Sequence, residues 1–139
     1  MAVITKGIRL ETRGNTDLID ITPEVSEGVS ETGLSSGTVT VFIPGSTAGV
    51  TTIEYESGAI RDFEEAIERI APSSIEYHHD ARWGDGNGFS HVRAALQGAS
   101  LTVPFASSRL LLGTWQQIIV VDFDNRPRSR EVILQIMGE

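Results

Sequence analysis

Apolar positions along the chain recur with a period near two in some stretches and near 3.6 in others, and the switches between these periods predict the elements. Residues 2 to 11 (AVITKGIRLE) alternate, with Val3, Thr5 and Gly7 against Ile4, Lys6 and Ile8. With residues 15 to 21 (NTDLIDI) they predict an opening hairpin that turns at Gly14. Thr22 before Pro23 suits an N-cap followed by a first helical position, Val25 and Val29 share a face, and Gly33 supplies a stop, so a short helix follows. Residues 37 to 43 (GTVTVFI) and 47 to 56 (TAGVTTIEYE) are rich in β-branched side chains and are parted by Pro44-Gly45-Ser46, which predicts two strands and a turn.

In "GAIRDFEEAIERIAP" the side chains of Ile60, Phe63, Ile67 and Ile70 form one helical stripe, charged residues lie outside it, and Pro72 ends the run. A further helical stretch runs from Gly88 to Leu96. Strand-like segments then cover 100 to 105, 109 to 123 and 131 to 137, with "DNRP" turning between the last two. Strands dominate and helices do not alternate with them one for one. The expected class is therefore α+β, a largely antiparallel β-sheet or sandwich with two to three short helices inserted between hairpins. A chain of 139 residues, 40% of them hydrophobic, makes one domain over residues 1–139.

The segment 109 to 123 is apolar on both faces, because Ile118 and Val120 oppose Ile119 and Val121. Such a strand needs cover on two sides. Burial of one face between subunits supplies it, and so does a sheet that folds back on itself as a sandwich within one chain.

Charge and composition narrow the partners. A formal charge of −8 disfavours nucleic acid and anionic membrane surfaces and favours a small ligand. No run reaches the ~18 to 20 apolar residues of a membrane span, and "MAVITKGIRLE" lacks the basic and apolar regions of a signal peptide, so a cytoplasmic protein is expected. The absence of cysteine excludes disulfides, thiolate metal sites and cysteine nucleophiles. Lys6 is the only lysine against ten arginines, so phosphate must be held by arginines and backbone amides.

Chemistry concentrates in "HHDARWGDGNGFSHVRAAL", which holds all three histidines. Its glycine spacing does not match a dinucleotide fingerprint, and Phe89 and Leu96 stand where an EF-hand loop from Asp85 needs oxygen ligands. Three readings remain. Gly84, Gly86 and Gly88, with Asn87 and the start of a helix, can turn backbone N–H groups toward a phosphate, with Arg93 nearby in sequence. His79, Asp85 and His91 suit a divalent metal, Mg or Zn, or proton transfer. The third reading is an ordinary Gly-Asp-Asn surface turn. Elsewhere, Glu54 shares a strand face with Thr52 and Glu56, Trp115 and Gln116 begin the long apolar strand, and Arg126, Arg128 and Arg130 cluster near the last turn.

The stretches "YHHDARWGDGNGFSHVRAALQGASLTVPF" and "RLLLGTWQQIIVVDFDNRPRSREVILQIMGE", preceded by "PGSTAGVTTIEYE", resemble the YjbQ family of small proteins described as secondary thiamine-phosphate synthases. The resemblance covers most of the chain. It implies a homotrimeric α+β fold with sites near subunit boundaries. It also implies an ability, sometimes a side activity, to join hydroxymethylpyrimidine diphosphate to a thiazole phosphate with release of pyrophosphate. Carried over by motif, it points to Tyr77 and His79, Asn87 and His91, Glu54, the run Gly113 to Gln116, and Arg128 or a neighbour. The chain departs from the pattern in two places, since many members carry His-Thr at Gly45-Ser46 and His or Asp at Phe89. The expectations are thus Glu54, His79, Asp85 and His91 as catalytic groups, with His79, Asp85 and His91 as metal ligands. Gly84, Gly86, Asn87, Gly88, Arg93, Trp115, Gln116 and Arg128 are expected around a small phosphorylated metabolite. The alternative is a non-catalytic or differently catalytic binding protein for such a metabolite.

Overall fold

The alternation at the start of the chain becomes β1 (Ala2–Thr12), a long strand whose successive side chains are exposed and half-buried in turn. It is followed by β2 (Asp17–Asp20), α1 (Thr22–Ser30), β3 (Gly37–Phe42), β4 (Ala48–Ile53), α2 (Ser57–Ile70), α3 (His78–Trp83) and α4 (Gly88–Gln97). The chain ends with β5 (Ser100–Ala106), β6 (Arg109–Leu110), β7 (Gln117–Asp122) and β8 (Arg128–Gly138). The computed structural model describes every residue from Met1 to Glu139. All pairings are antiparallel, in a five-stranded sheet of order β1-β8-β3-β5-β6 and a three-stranded sheet of order β2-β7-β4. The α+β class with antiparallel layers is the one expected. A fourth helix, α3, occupies "HHDARW", where no helix is legible from periodicity.

The predicted opening hairpin does not form. β1 pairs with β8 and β2 with β7, in different sheets. Gly14, Asn15 and Thr16 all have positive φ (75°, 55° and 63°) and turn the chain from one sheet into the other. Gly14 has no substitute there, since a Cβ would lie 2.4 Å from the Arg126 carbonyl oxygen. The same crossing recurs after β3 and after β7, so sequence-adjacent strands change sheets instead of pairing. Among consecutive strands only β5 and β6 form a hairpin, through Ser107 and Ser108 at φ 51° and 60°.

The predicted strand over 109 to 123 also divides. Leu111 donates its N–H to Pro104 O, Gln116 N–H bonds back to Gly113 O, and the intervening loop carries the chain from the five-stranded to the three-stranded sheet. Thr22 sits one position inside α1 instead of capping it. Its N–H is taken by Asp20 Oδ1 and its hydroxyl accepts from Ile118 N–H, so the helix start is tied to β7.

β7 explains how the doubly apolar strand is covered. Ile118 and Val120 face the five-stranded sheet and α1 in the main core, while Ile119, Val121 and Phe123 face Ile67 of α2 and Ala94 of α4. All four residues from Ile118 to Val121 are 0% exposed, each such burial contributing about 1.5–3 kcal/mol. The sandwich within one chain therefore satisfies both faces, and this strand supplies no reason for subunits to associate. On α2, Ile60, Phe63 and Ile67 pack inward as the stripe predicts, but Ile70 in its last turn is 64% exposed. No helix is long and apolar enough to cross a membrane.

Candidate functional site

The polar end of the three-stranded sheet carries the chemistry. Asp122 ends β7 and Asp124 lies just beyond it, and both are buried. Asp122 receives Arg130 Nε at 2.8 Å and Nη2 at 3.0 Å, Thr12 Oγ1 at 2.6 Å and the Asp124 N–H at 3.0 Å. Burial pushes its carboxyl up, but the bonds from Arg130, Thr12 and Asp124 outweigh burial and hold it below the ordinary carboxylate value. Asp124 takes the Thr47 hydroxyl at 2.9 Å and lies 3.5 Å from Arg128 Nε.

From this corner Asn125 reaches the glycine loop. Its side-chain amide donates to Asp85 O at 2.9 Å, and its N–H donates to Asn87 Oδ1 at 3.1 Å. Asn87 Oδ1 also accepts the hydroxyl of Ser90, itself completely buried. Residues 85 to 90 are thus pinned to the end of β7. α3 and α4 meet closely because position 88 is glycine, where a Cβ would stand 2.5 Å from Tyr77 Cβ. Burial raises the Tyr77 phenol above its ordinary value, and its hydroxyl donates to Pro72 O at 2.6 Å.

The approach of the two helices brings His79 and His91 together, with ring centroids 4.3 Å apart. His79 Nδ1 is buried and has no hydrogen-bond partner, yet it lies 3.4 Å from Asp85 Oδ1 and 3.7 Å from Asp80 Oδ1. Ligand atoms of His79, Asp80 and Asp85 fall within 4.8 Å of one another. An orphaned imidazole nitrogen facing two carboxylates fits either a divalent cation or a shared proton. His78 is exposed and outside this group.

Asp80 was not singled out from the sequence. The signal available was an acidic residue beside a histidine, and its role appears only in space, where Oδ1 caps α4 by accepting Gly88 N–H at 2.8 Å. That bond changes the loop's chemistry. Asn87 N–H is likewise taken by Asp85 Oδ1 at 3.2 Å, so two of the amides expected to cradle a phosphate already face the chain's own carboxylates. Gly84 and Gly86 adopt the positive φ (68° and 67°) that the glycine pattern predicts.

Arg93 is committed elsewhere. It lies two residues from His91 on α4 and so on nearly the opposite side. Its guanidinium binds Ala71 O, Thr16 Oγ1 and Glu68 Oε2 at 2.9, 2.9 and 2.6 Å, and the side chain is only 5% exposed. It clamps α4 to α2 and to the β1–β2 corner. The Ser73 N–H, helped by Arg93, keeps Glu68 below its ordinary value against the opposing effect of burial. Phe89 is buried beneath the same guanidinium, 4.8 Å from ring centroid to Arg93 Cζ, and presents nothing to the cluster.

Glu54, Trp115 and Gln116 lie at the other end of the sheet. In the β4–β7 pair Ala48 opposes Asp122 and Ile53 opposes Gln117, so the two ends are about 17 Å apart. Glu54 follows β4 and is exposed. Trp115, expected beside a phosphorylated metabolite, is 73% exposed. Gln116 donates to Thr52 Oγ1 at 3.2 Å and accepts Gly113 N–H at 3.0 Å. One chain therefore brings His79, Asp80, Asp85 and His91 together, with Arg128 near the same corner, and leaves Glu54, Trp115 and Gln116 apart.

Comparisons with known proteins agree with this fold. The model of the UPF0047 protein YjbQ-like family matches residues 6–139. A UPF0047 protein of Methanothermobacter thermautotrophicus is 37% identical over all of this chain and 95% of its own length. The UPF0047 protein YugU of Bacillus subtilis is 34% identical over 96% of this chain and 98% of its own. A crystal structure of a YbjQ-like protein of unknown function from Sulfolobus solfataricus superposes with a TM-score of 0.94 at 30% identity, covering 99% of both chains. One from Clostridium acetobutylicum, of the yjbq/upf0047 family, gives 0.86 at 33% identity over 95% of this chain and 99% of its own. With its family match and its fold in agreement from end to end, the chain belongs to the YjbQ-like UPF0047 family.

Proposed function

We propose that the chain acts on a small phosphorylated metabolite at the His79, Asp80, Asp85 and His91 cluster. The reaction is of the thiamine-phosphate synthase type, joining hydroxymethylpyrimidine diphosphate to a thiazole phosphate with release of pyrophosphate. The observation that carries the site is the buried, unpartnered Nδ1 of His79 facing two carboxylates. The reaction type rests on the resemblance of "GNGFSH" and "LLGTWQQI" to the family described as secondary thiamine-phosphate synthases.

His79, Asp80 and Asp85 fit a divalent cation, Mg or Zn, which when bound neutralises charge on a departing diphosphate. The carboxylates orient the His79 ring, and His91 beside it gives or takes a proton at the substrate. Arg128, half-exposed at the same corner, reaches an anion more readily than Arg93 does. We propose further that chains associate as a homotrimer, so that Glu54, Trp115 and Gln116 of one subunit approach the cluster of the next. Exposed apolar side chains on α3 and α4, Trp83, Val92 and Leu96, support a boundary on these helices.

The test is complementation of a strain unable to make thiamine phosphate, together with product formation by the purified protein with Mg²⁺. Failure of both with folded protein removes the catalytic reading for this chain. A second reading, a binding protein for a phosphorylated or anionic metabolite, is favoured by the absence of a side chain at Gly45 and the burial of Phe89. A metabolite-binding screen that returns a tight ligand unrelated to thiamine precursors would select it.

A further inference from the structure

Between the two sheets the strands β4 and β5 diverge. At one end they are joined, since Val50 donates its N–H to Gly98 O. Beyond that point a cleft of about 330 Å³ opens, lined by Thr51, Thr52, Ser100, Thr102, Leu111 and Leu112 among others, with no ionisable side chain in its wall. In a chain of formal charge −8, an uncharged cleft is a selective feature.

The strand registers show what faces it. Thr47 O accepts from Phe123 N–H, so in β4 the odd residues bond β7, and the backbone of Val50 and Thr52 faces the cleft. Ile43 N–H bonds Ala99 O, so in β5 the odd residues bond β3, and the backbone of Ser100, Thr102 and Pro104 faces the cleft. Pro104 O is taken by Leu111 N–H. The N–H and C=O of Ser100 and Thr102, with those of Thr52 opposite, are left without strand partners.

We infer that this cleft binds an extended, uncharged peptide segment by strand addition to β5. Donors and acceptors two residues apart on a strand edge match another extended backbone. The unpaired edge, from Ser100 to Thr102, spans about 7 Å, so it takes two to three residues of an extended backbone before the pairing with Leu111 begins. The neutral wall excludes Asp, Glu, Lys and Arg from the segment, and Leu111, 58% exposed at the far end, offers an apolar contact. The free edge of β1 is longer but carries Lys6, Arg9 and Glu11 along it, which discourages pairing. Within one chain this cleft lies apart from the histidine cluster; Gln116, which the proposed trimer brings to the cluster of the next subunit, stands in its wall, so the inference rests on that assembly leaving the β5 edge open.

The test is titration of the ¹⁵N-labelled protein with the blocked peptide acetyl-Val-Thr-Val-Gly-amide. The expected result is saturable shifts of the Ser100, Thr102 and Thr52 amides, with weaker binding when Thr is replaced by Asp in the peptide. Thr102→Pro removes one edge donor without touching the ladder to β3, as Pro104 already does on the same edge. It should weaken binding by about tenfold or more with the melting temperature nearly unchanged. If that variant does not fold, Ser100→Pro serves. The inference is overturned if the peptide leaves these amides unmoved at about 5 mM, or if the proline variants bind as well as the parent. It is also overturned if a small cyclic amide such as hydantoin moves the amides while the peptide does not, or if they move with protein concentration alone, which assigns the edge to a second copy.

Discussion

Replacing Asp122 by Asn tests how the sheet corner supports the site. The carboxylate accepts four hydrogen bonds, two of them from the guanidinium of Arg130, and neither side chain is more than 7% exposed. Asn keeps one acceptor oxygen and turns an NH₂ toward donors, so buried Arg130 loses its close counter-charge and keeps only the longer contact to Asp124 Oδ2 at 3.9 Å. Two charge-assisted bonds at about 1.5–3 kcal/mol each agree with the ~3–5 kcal/mol typical of breaking a buried pair from one side. Asp122→Asn should therefore lower the melting temperature by roughly 10 °C or more. Urea unfolding near neutral pH measures the free energy, and Arg130→Met added to the variant should recover part of it, because no unpaired charge then remains.

The pH dependence has a definite sign. Asp122 is held below its ordinary value, so its contribution is complete above about pH 4, where the unfolded side chain is ionised, and fades as pH falls through the depressed folded value. The Asn variant should lack this part of the acid limb. A loss under about 1 kcal/mol with Arg130 still buried would refute the reasoning, and so would an unchanged acid limb.

Further outcomes follow from the same geometry. Gly88→Ala should force α3 from α4 and separate the imidazoles, seen as loss of the His79–His91 contact in histidine NMR while the sheets stay folded. Gly14→Ala, at φ 75° against the Arg126 carbonyl, should cost more than about 1 kcal/mol in urea unfolding. Arg93→Leu should destabilise the domain by breaking its three bonds to Ala71, Thr16 and Glu68, yet leave phosphate affinity of the remaining folded protein within about twofold, as measured by calorimetry.

What the sequence discloses differs by element. Period alone locates α2 and the strands, because Ile60, Phe63 and Ile67 or the alternation of β1 record one local face. Pairing is not local. The β1–β2 corner and a hairpin carry the same Gly14 signal, and only the two-sided apolar run Ile118 to Val121 hints that β7 must be central. The loop 111 to 116 reads as strand because Leu110, Leu111 and Leu112 are apolar, although Gly113 marks the break. At the site, histidines and glycines stand out by type and spacing. Asp80 does not, since its partner Gly88 is eight residues away and across a helix boundary. Arg93 misleads for the converse reason, because nothing beside it in sequence announces Glu68, Ala71 and Thr16.

On the proposed reading, phosphate reaches this chain through the His79, Asp80, Asp85 and His91 cluster and not through the loop amides, two of which, at Asn87 and Gly88, already face carboxylates. The most direct test is calorimetric titration of inorganic pyrophosphate into the protein with and without Mg²⁺ or Zn²⁺, repeated on Asp80→Asn and Asp85→Asn, with the His79 and His91 resonances followed in parallel. The account predicts saturable cation binding that shifts both histidines, pyrophosphate binding only when the cation is present, and loss of both in the two variants. Pyrophosphate that binds without a cation and shifts the amides of residues 84 to 88 while the histidines stay unmoved would contradict it.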